Sequence, residues 1–240
     1  MKSVFFISDL HFGLQSPEQE KEKERRFLRF LAHVGAEGER LYVLGDLFDY
    51  WFEYDHVIPR GYHHILSGLG NLVAAGIRVE YLAGNHDFWL RDFFPVELGI
   101  PVHKEPISVV LGDKKFYLHH GDGLALRDTG YRILKRILRN RVNIALFSLL
   151  HPDWTAAIAK ASSRASRTYT SHKDYGETDG MIIEATKRIQ EGNNIVVMGH
   201  RHHPLLQTIG TGTYVNLGDW LSHWTYAEFD GHTIALKTWY

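Results

Sequence analysis

Short apolar runs recur along the chain, and each one ends in residues that can bind a cation. The five runs are residues 4–7, 41–44, 79–83, 116–119 and 195–198. Each run has the length of a buried strand, whereas the residues that follow it are polar. In open α/β sheets, binding sites lie beyond the carboxyl ends of the strands. The pattern therefore predicts an α/β fold with one site beyond these five strand ends.

Helical periodicity separates the early strands. Residues 18–34 are charged at first and then apolar, and residues 62–75 have apolar positions at helical spacing that end at Gly76. After Pro204 the pattern changes to short strands separated by turns, at residues 205–209, 213–217, 225–229 and 233–239. We therefore expect one domain, residues 1–240, with two sheets packed face to face and helices outside.

Residues 127–190 are continuously helical in pattern and lie between two strands that end in candidate ligands, so we expect a helical cap at about 125–190. The same part of the chain is also distinctly basic. The whole chain has a net charge of −1, yet residues 127–173 contain ten Lys or Arg and two Asp or Glu. Such a basic surface favours an anionic partner, although a solvated helical face has the same composition.

Composition excludes some kinds of chemistry. The chain has no cysteine, which rules out disulfides, thiolate metal ligands and a cysteine nucleophile. The apolar run at residues 4–7 is too short for a secretory signal or a membrane span, and so is the run at 142–150. We therefore expect a cytoplasmic protein that is soluble or peripherally attached to a membrane.

The candidate metal ligands are all oxygen and nitrogen donors. In chain order they are Asp9, His11, Asp46, Asn85, His120, His200 and His202. Donors of this kind suit manganese, iron, zinc or magnesium better than a soft metal. One such residue alone is no more than a strand-end cap, but five groups in sequence, each after an apolar strand, predict a metal site. The two oxygens of Asp46 could bridge two cations.

The chain resembles the calcineurin-like metallophosphoesterase superfamily over nearly its whole length. The blocks that carry the resemblance are DLH (9–11), GDLFD (45–49), GNHD (84–87), HHGD (119–122) and GHRH (199–202). The resemblance implies a four-layer α/β/β/α sandwich with a helical cap insertion. It also implies two sets of ligands: Asp9, His11 and His202 for one metal, Asn85, His120 and His200 for the other, with Asp46 bridging.

The resemblance also implies a mechanism. Two cations about 3.5–4 Å apart bind a bridging hydroxide and the phosphoryl oxygens, so no side-chain nucleophile is required. Asp46, Asn85 and His86 are the implied catalytic residues, with His86 facing the substrate as a proton donor or charge stabiliser. A purely supporting histidine at this position is the alternative. The expected cofactors are two divalent ions, Mn²⁺ first, with Mg²⁺, Fe²⁺ or Zn²⁺ also suitable.

Longer blocks resemble the UDP-2,3-diacylglucosamine pyrophosphatase (hydrolase) family of lipid A biosynthesis. They are LGDLFDYWFEY (44–54), GNHDFWLRDFF (84–94), HHGDGLALRD (119–128) and NLGDWLSHWTYAEFDG (216–231). The implied reaction hydrolyses the pyrophosphate bond of UDP-2,3-diacylglucosamine to UMP and 2,3-diacylglucosamine 1-phosphate. The implied substrate-binding residues are Asn85, His86, Asp128, Ser166, Thr170, Lys173 and His200.

One position departs from this family. Many members carry GNRD where this chain has GNHD, and a histidine cannot reproduce a bidentate arginine contact to phosphate. The chain therefore resembles a divergent GNHD branch, which either performs the same reaction or acts on another substrate.

The predicted cap supports a lipid substrate because it combines apolar residues with arginines, a composition that suits acyl chains and anionic headgroups. We therefore expect a nucleotide-sugar lipid substrate and peripheral contact with the anionic cytoplasmic face of the inner membrane. A dimetal phosphodiesterase or phosphatase for a soluble nucleotide or another phosphoester is one alternative, and a non-catalytic scaffold is another. A nucleic-acid partner is not expected, because aromatic stacking platforms in residues 127–173 are few. The sequence does not predict the oligomeric state.

Overall fold

The computed structural model describes residues 2–124, 135–159, 161 and 177–240, with the side chains of 177–179 excluded. Within these ranges the strands are β1 Ser3–Ile7, β2 Gly38–Leu44, β3 Arg78–Leu82, β4 Val102–His103, β5 Ile107–Leu111, β6 Lys114–His119, β7 Ile195–Met198, β8 Leu205–Ile209, β9 Gly212–Asn216, β10 Thr225–Phe229 and β11 Ile234–Thr238. The helices are α1 Pro17–Glu37, α2 His63–Ala74, α3 Phe93–Glu97, α4 Arg141–Ser148 and α5 Glu177–Gln190. Residues 152–159 are also helical.

The strands form two sheets. The first has the order β11-β10-β1-β2-β3-β4, and the second has the order β5-β6-β7-β9-β8. β1 to β4 run parallel, as do β6, β7 and β9, and antiparallel strands complete both sheets. Because parallel strands end at the same edge, the loops after β1, β2 and β3 are brought together, as are those after β6 and β7.

Successive side chains along the strands point to opposite faces of each sheet, and this alternation creates the layers. Phe5 and Ile7 of β1 belong to the core beneath α1 and α2, whereas Val4 and Phe6 belong to the core between the two sheets. A third apolar cluster joins α5 to the outer face of the second sheet. These three cores define four layers, so the predicted α/β/β/α sandwich is confirmed.

Most predicted elements are present, with three additions (β4, β5 and the five-residue helix α3) and one change. β4 has only two residues and β5 is a half-exposed edge strand, so neither has a strong apolar pattern. α5 falls inside the predicted cap range of 125–190, but it packs on the second sheet as an outer layer. We therefore propose that the cap ends before α5. No helix in the described ranges is long and apolar enough to cross a bilayer.

Candidate metal centre

The loops that carry the candidate ligands have an unusual backbone. Asp9, His11, Asp46, His200 and His202 all have left-handed φ angles, between 46° and 68°. In the described ranges the only other residue besides glycine with this conformation is Trp224. Left-handed φ angles are strained for residues with a Cβ, and such strain gathers at functional sites. Five of the seven predicted ligands are therefore held in a conformation that only the surrounding structure can impose.

One group of donors consists of Asp9, His11 and His202, whose ligand atoms all lie within 4.8 Å of one another. The Nε2 atoms of His11 and His202 are 3.1 Å apart. Oδ1 of Asp9 lies 3.3 Å from Nε2 of His202 and 3.7 Å from Nε2 of His11. The predicted first set of ligands therefore converges on one point.

The second group consists of Asn85, His120 and His200, with Asp46 beside it. The ligand atoms of Asp46, His120 and His200 lie within 4.8 Å of one another. Nε2 of His120 lies 2.9 Å from Oδ1 of Asn85 and 3.3 Å from Oδ2 of Asp46. The same Oδ2 atom lies 3.7 Å from Nε2 of His11, in the first group. Asp46 therefore lies between the two groups, and the structure brings all seven predicted ligands together.

Each of the two carboxylates is oriented by the other ligand loops. Oδ2 of Asp9 accepts the backbone N–H of His200 at 2.7 Å, and Oδ1 of Asp46 accepts the backbone N–H of His86 at 2.8 Å. The remaining oxygen of each carboxylate faces the histidines. Asp9 Oδ1 is buried and accepts no hydrogen bond from the described residues. Two imidazole nitrogens 3.1 Å apart can share one proton at most, so the donors fit a divalent cation.

The buried carboxylates and their own burial shift the pKa values of the ligand histidines in opposite directions. Burial alone would lower the pKa of His120, but the Asp46 carboxylate beside it raises that pKa to about 10. Burial also opposes the charged form of His11, yet the neighbouring carboxylates of Asp49, Asp9 and Asp46 raise its pKa to about 9. For His200 burial dominates and lowers the pKa to about 4. In the metal-free protein, protons on His11 and His120 thus neutralise carboxylate charge.

Three groups that were not predicted orient the histidines from behind. Nδ1 of His120 donates to the Leu44 carbonyl at 2.7 Å. Nδ1 of His11 lies 3.6 Å from Asp49, and Nδ1 of His202 lies 3.6 Å from Asp219. Such outer partners fix the ring orientation of metal ligands. Asp49 and Asp219 stand in the GDLFD and GDW blocks, so the motifs contained a signal for both.

Asp87 is a further supporting residue. Its carboxylate accepts the backbone N–H groups of Leu47 at 2.9 Å and Gly84 at 2.8 Å, together with the hydroxyl of Tyr81. Asp87 is fully buried. It therefore ties the loop after β2, which carries Asp46, to the loop after β3, which carries Asn85.

His86 lies against the first group, with its ring centroid 4.8 Å from that of His11. Its Nδ1 is 3.0 Å from the Asp49 carbonyl oxygen, which can only accept, so Nδ1 carries the proton. Burial lowers the pKa of His86, so the neutral ring leaves Nε2 without a proton. The predicted role of His86 in catalysis stays a prediction.

The described part of the cap, residues 135–159, is called the cap segment below. Nζ of Lys135 lies 2.7 Å from the Asp122 carboxylate, and the Arg139 guanidinium lies 3.2 Å from it. The ring of Phe147 stacks on Trp89. The cap segment is thus fastened next to His120, in the loop that begins with the HHGD block.

A cavity of about 520 Å³ lies between the cap segment and the core. Phe52, Val57 and Ile58 line it from the core. The cap segment contributes Pro152, Asp153, Thr155, Ala156 and Ala157. Asp49, which contacts His11 and His86, also lines this cavity. Four predicted substrate residues, Asp128, Ser166, Thr170 and Lys173, lie outside the described residues.

The fold and the clustered donors define a metal-dependent phosphoesterase. The model of the calcineurin-like phosphoesterase family matches residues 2–204, and the chain belongs to that family. Among its relatives is the UDP-2,3-diacylglucosamine hydrolase of Porphyromonas gingivalis, 32% identical over 98% of this chain and 97% of that protein. The enzymes of the same name from Nitrosococcus oceani and Haemophilus influenzae are each 30% identical. They match 91% and 92% of this chain, and 87% and 91% of their own lengths.

Proposed function

We propose that this chain hydrolyses the pyrophosphate bond of UDP-2,3-diacylglucosamine, releasing UMP and 2,3-diacylglucosamine 1-phosphate. Relatives named for this activity match at least 87% of their own lengths, so the similarity extends well beyond the metal motifs. The observation that carries the substrate class is the cavity that runs from Asp49, beside the ligand cluster, to the cap segment. Its volume lies in the range of small-molecule sites.

Two divalent cations, Mn²⁺ first, would be held by Asp9, His11 and His202 on one side and by Asn85, His120 and His200 on the other, with Asp46 between them. When bound, these cations supply an activated water and neutralise phosphoryl charge. The chain itself needs no nucleophile. Its part would be to orient the phosphoryl group, a role assigned to His86 and to the ligands Asn85 and His200.

His86 has a role different from that of an arginine in this proposal. Because Nδ1 donates to the Asp49 carbonyl and the pKa is lowered, the ring is neutral at pH 7 and presents Nε2. A neutral ring carries no charge to neutralise phosphate. It can instead hold a proton-bearing group of the substrate or of water at Nε2.

The cavity would take the acyl portion of the substrate. Its wall contains Phe52, Val57 and Ile58 with tyrosine residues, and it includes Asp49, which contacts His11 and His86. A lipid bound there would have its chain under the cap segment and its pyrophosphate at the metal ligands. A small polar substrate would leave this apolar wall unused.

The cap segment also supports the proposed contact with an anionic membrane. Val142 and Leu146 of α4 and the C-cap residue Leu149 stand at helical spacing, and Leu149 is 81% exposed. Trp154 is 65% exposed in the following helical stretch. Arg136 and Arg141 lie exposed near the start of α4. An exposed apolar face with arginines beside it suits an anionic bilayer surface.

A hydrolysis assay with Mn²⁺ tests the proposal, offering UDP-2,3-diacylglucosamine, UDP-glucose and bis-p-nitrophenyl phosphate. We expect lipid turnover far above the other two, with UMP as product. Ala156→Leu, which fills the cavity, should reduce lipid turnover and leave the p-nitrophenyl ester unaffected, whereas Ala36→Leu on the exposed side of α1 should change neither. Equal rates on all three substrates would overturn the lipid assignment and leave a phosphoesterase for soluble esters.

A further inference from the structure

A lysine is fully buried directly behind the first group of ligands. Lys23 of α1 has 0% exposure, although it stands among apolar side chains. Its Nζ donates to the backbone carbonyl of His11 at 3.1 Å and to the Glu20 carboxylate at 3.0 Å, and it lies 5.0 Å from the ring centroid of Phe12. Burying an ammonium is costly unless it is paired and hydrogen-bonded. These contacts therefore account for its presence.

Glu20 holds the same loop from its other end. Oε2 accepts the backbone N–H of Gly13 at 3.0 Å, and Oε1 accepts that of Gln15 at 2.8 Å. Together, Glu20 and Lys23 thus bind the loop of residues 11–15 at three backbone groups. The other side of this loop is held by the loop after β2, because the N–H groups of His11 and Phe12 donate to carbonyls there.

The backbone of His11 needs such support. Its φ angle is 46°, a conformation that a residue with a Cβ adopts only under constraint. A change of this φ angle, by rotation about the N–Cα bond of His11, would relieve the strain. The same rotation would move the peptide that follows His11 and swing the imidazole away from His202 and Asp9. The Lys23 ammonium fixes the carbonyl oxygen of that peptide, and with it the direction of the side chain.

We propose that Lys23, anchored by Glu20, is a positioning residue that holds His11 in its metal-binding conformation. The inference rests on the proposed two-metal site. It assigns to the charged start of α1 a part in metal binding, specific to the group of Asp9, His11 and His202. The group of Asn85, His120 and His200 has no contact with this pair among the interactions that the structure describes.

Lys23→Met is the sharpest test, because it keeps most of the side-chain volume and removes only the ammonium. If Lys23 acts only through its charge, its removal should change the affinity for cations in one direction; if it positions His11, the change should have the opposite sign. Loss of a positive charge, with Glu20 left behind, raises the affinity for cations. Loss of the carbonyl anchor lowers it, by roughly 10- to 100-fold if Lys23 acts like other outer-sphere partners of metal ligands.

Mn²⁺ titration of the full chain, followed by electron paramagnetic resonance, gives the readout. The wild type should bind two ions and show spin coupling between them. Lys23→Met should bind one ion with unchanged affinity at the group of Asn85, His120 and His200. Its spectrum should show six uncoupled lines until the weakened group of Asp9, His11 and His202 also fills. Lys21→Met is the matched control, an exposed lysine on the same helix, and should behave as the wild type.

Glu20→Asp provides a second variant, in case Lys23→Met does not fold. It keeps the charge but shortens the side chain. Weaker Mn²⁺ binding at the group of Asp9, His11 and His202 would therefore again come from loss of positioning and not from a change of charge. Unchanged or higher affinity for both ions in the folded variants would overturn the inference alone. A wild type that binds no Mn²⁺ would overturn the proposed two-metal site and the inference with it.

Discussion

Oδ1 of Asp46 accepts the backbone N–H of His86 at 2.8 Å, and this bond turns Oδ2 toward the Nε2 atoms of His11 and His120. One oxygen thus fixes the side chain while the other faces both groups of histidines. The same division is found at Asp9, where His200 donates the backbone N–H. Both carboxylates are therefore oriented by residues of the site itself.

Asp46→Asn should abolish hydrolysis while the protein remains folded. An amide oxygen in place of Oδ2 is uncharged, and an amide nitrogen there would point N–H groups at the metal ligands. We expect kcat to fall by at least about 10³-fold, with a circular dichroism spectrum like that of the wild type. Asp113→Asn, an exposed change on the β5–β6 turn, is the control. Near-normal turnover in Asp46→Asn would contradict the two-metal arrangement.

The sequence predicted which donor side chains cluster, but not every residue that supports them. Asp9, Asp46 and His200 could be predicted because each stands two residues after the end of an apolar run, and the strand order then brings the runs together. Lys23 could not be predicted, because its burial depends on how α1 docks on the loop of residues 11–15. Likewise, the periodicity of α5 shows that it has an apolar face but not that the second sheet covers this face.

His86 separates two interpretations of the GNHD block. If the neutral ring acts through Nε2, His86→Ala should lower kcat by about 10²-fold, the usual contribution of one proton-transfer group. His86→Arg restores the GNRD form and should retain substantial lipid turnover, because an arginine binds phosphate well. Steady-state kinetics with UDP-2,3-diacylglucosamine measure both variants. An unchanged kcat in His86→Ala would show that this histidine only supports its neighbours.

Metal binding should release protons at neutral pH. The pKa of His11 is raised to about 9 and that of His120 to about 10, both above the ordinary value near 6.5. A raised pKa in the fold means that protonation stabilises the metal-free protein fully below about pH 6.5, and that this stability is lost as the pH rises through 9 to 10.

A metal ion must displace these protons, so its affinity should rise with pH over the same window. Titration calorimetry with Mn²⁺ at pH 7, in two buffers of different ionisation enthalpy, counts the protons released. We expect about two for two ions. A count of zero would mean that His11 and His120 are already neutral in the metal-free protein.

Asp87→Ala should destabilise the protein without removing any metal ligand. The change leaves the buried N–H groups of Leu47 and Gly84 and the hydroxyl of Tyr81 without their acceptor. Since an unsatisfied buried polar group costs about 1–3 kcal/mol, we expect a loss of roughly 3–5 kcal/mol in the free energy of unfolding. Urea denaturation with saturating Mn²⁺ measures it, with the exposed Asp92→Ala as control. A loss no larger than that of Asp92→Ala would show that the loops after β2 and β3 do not depend on Asp87.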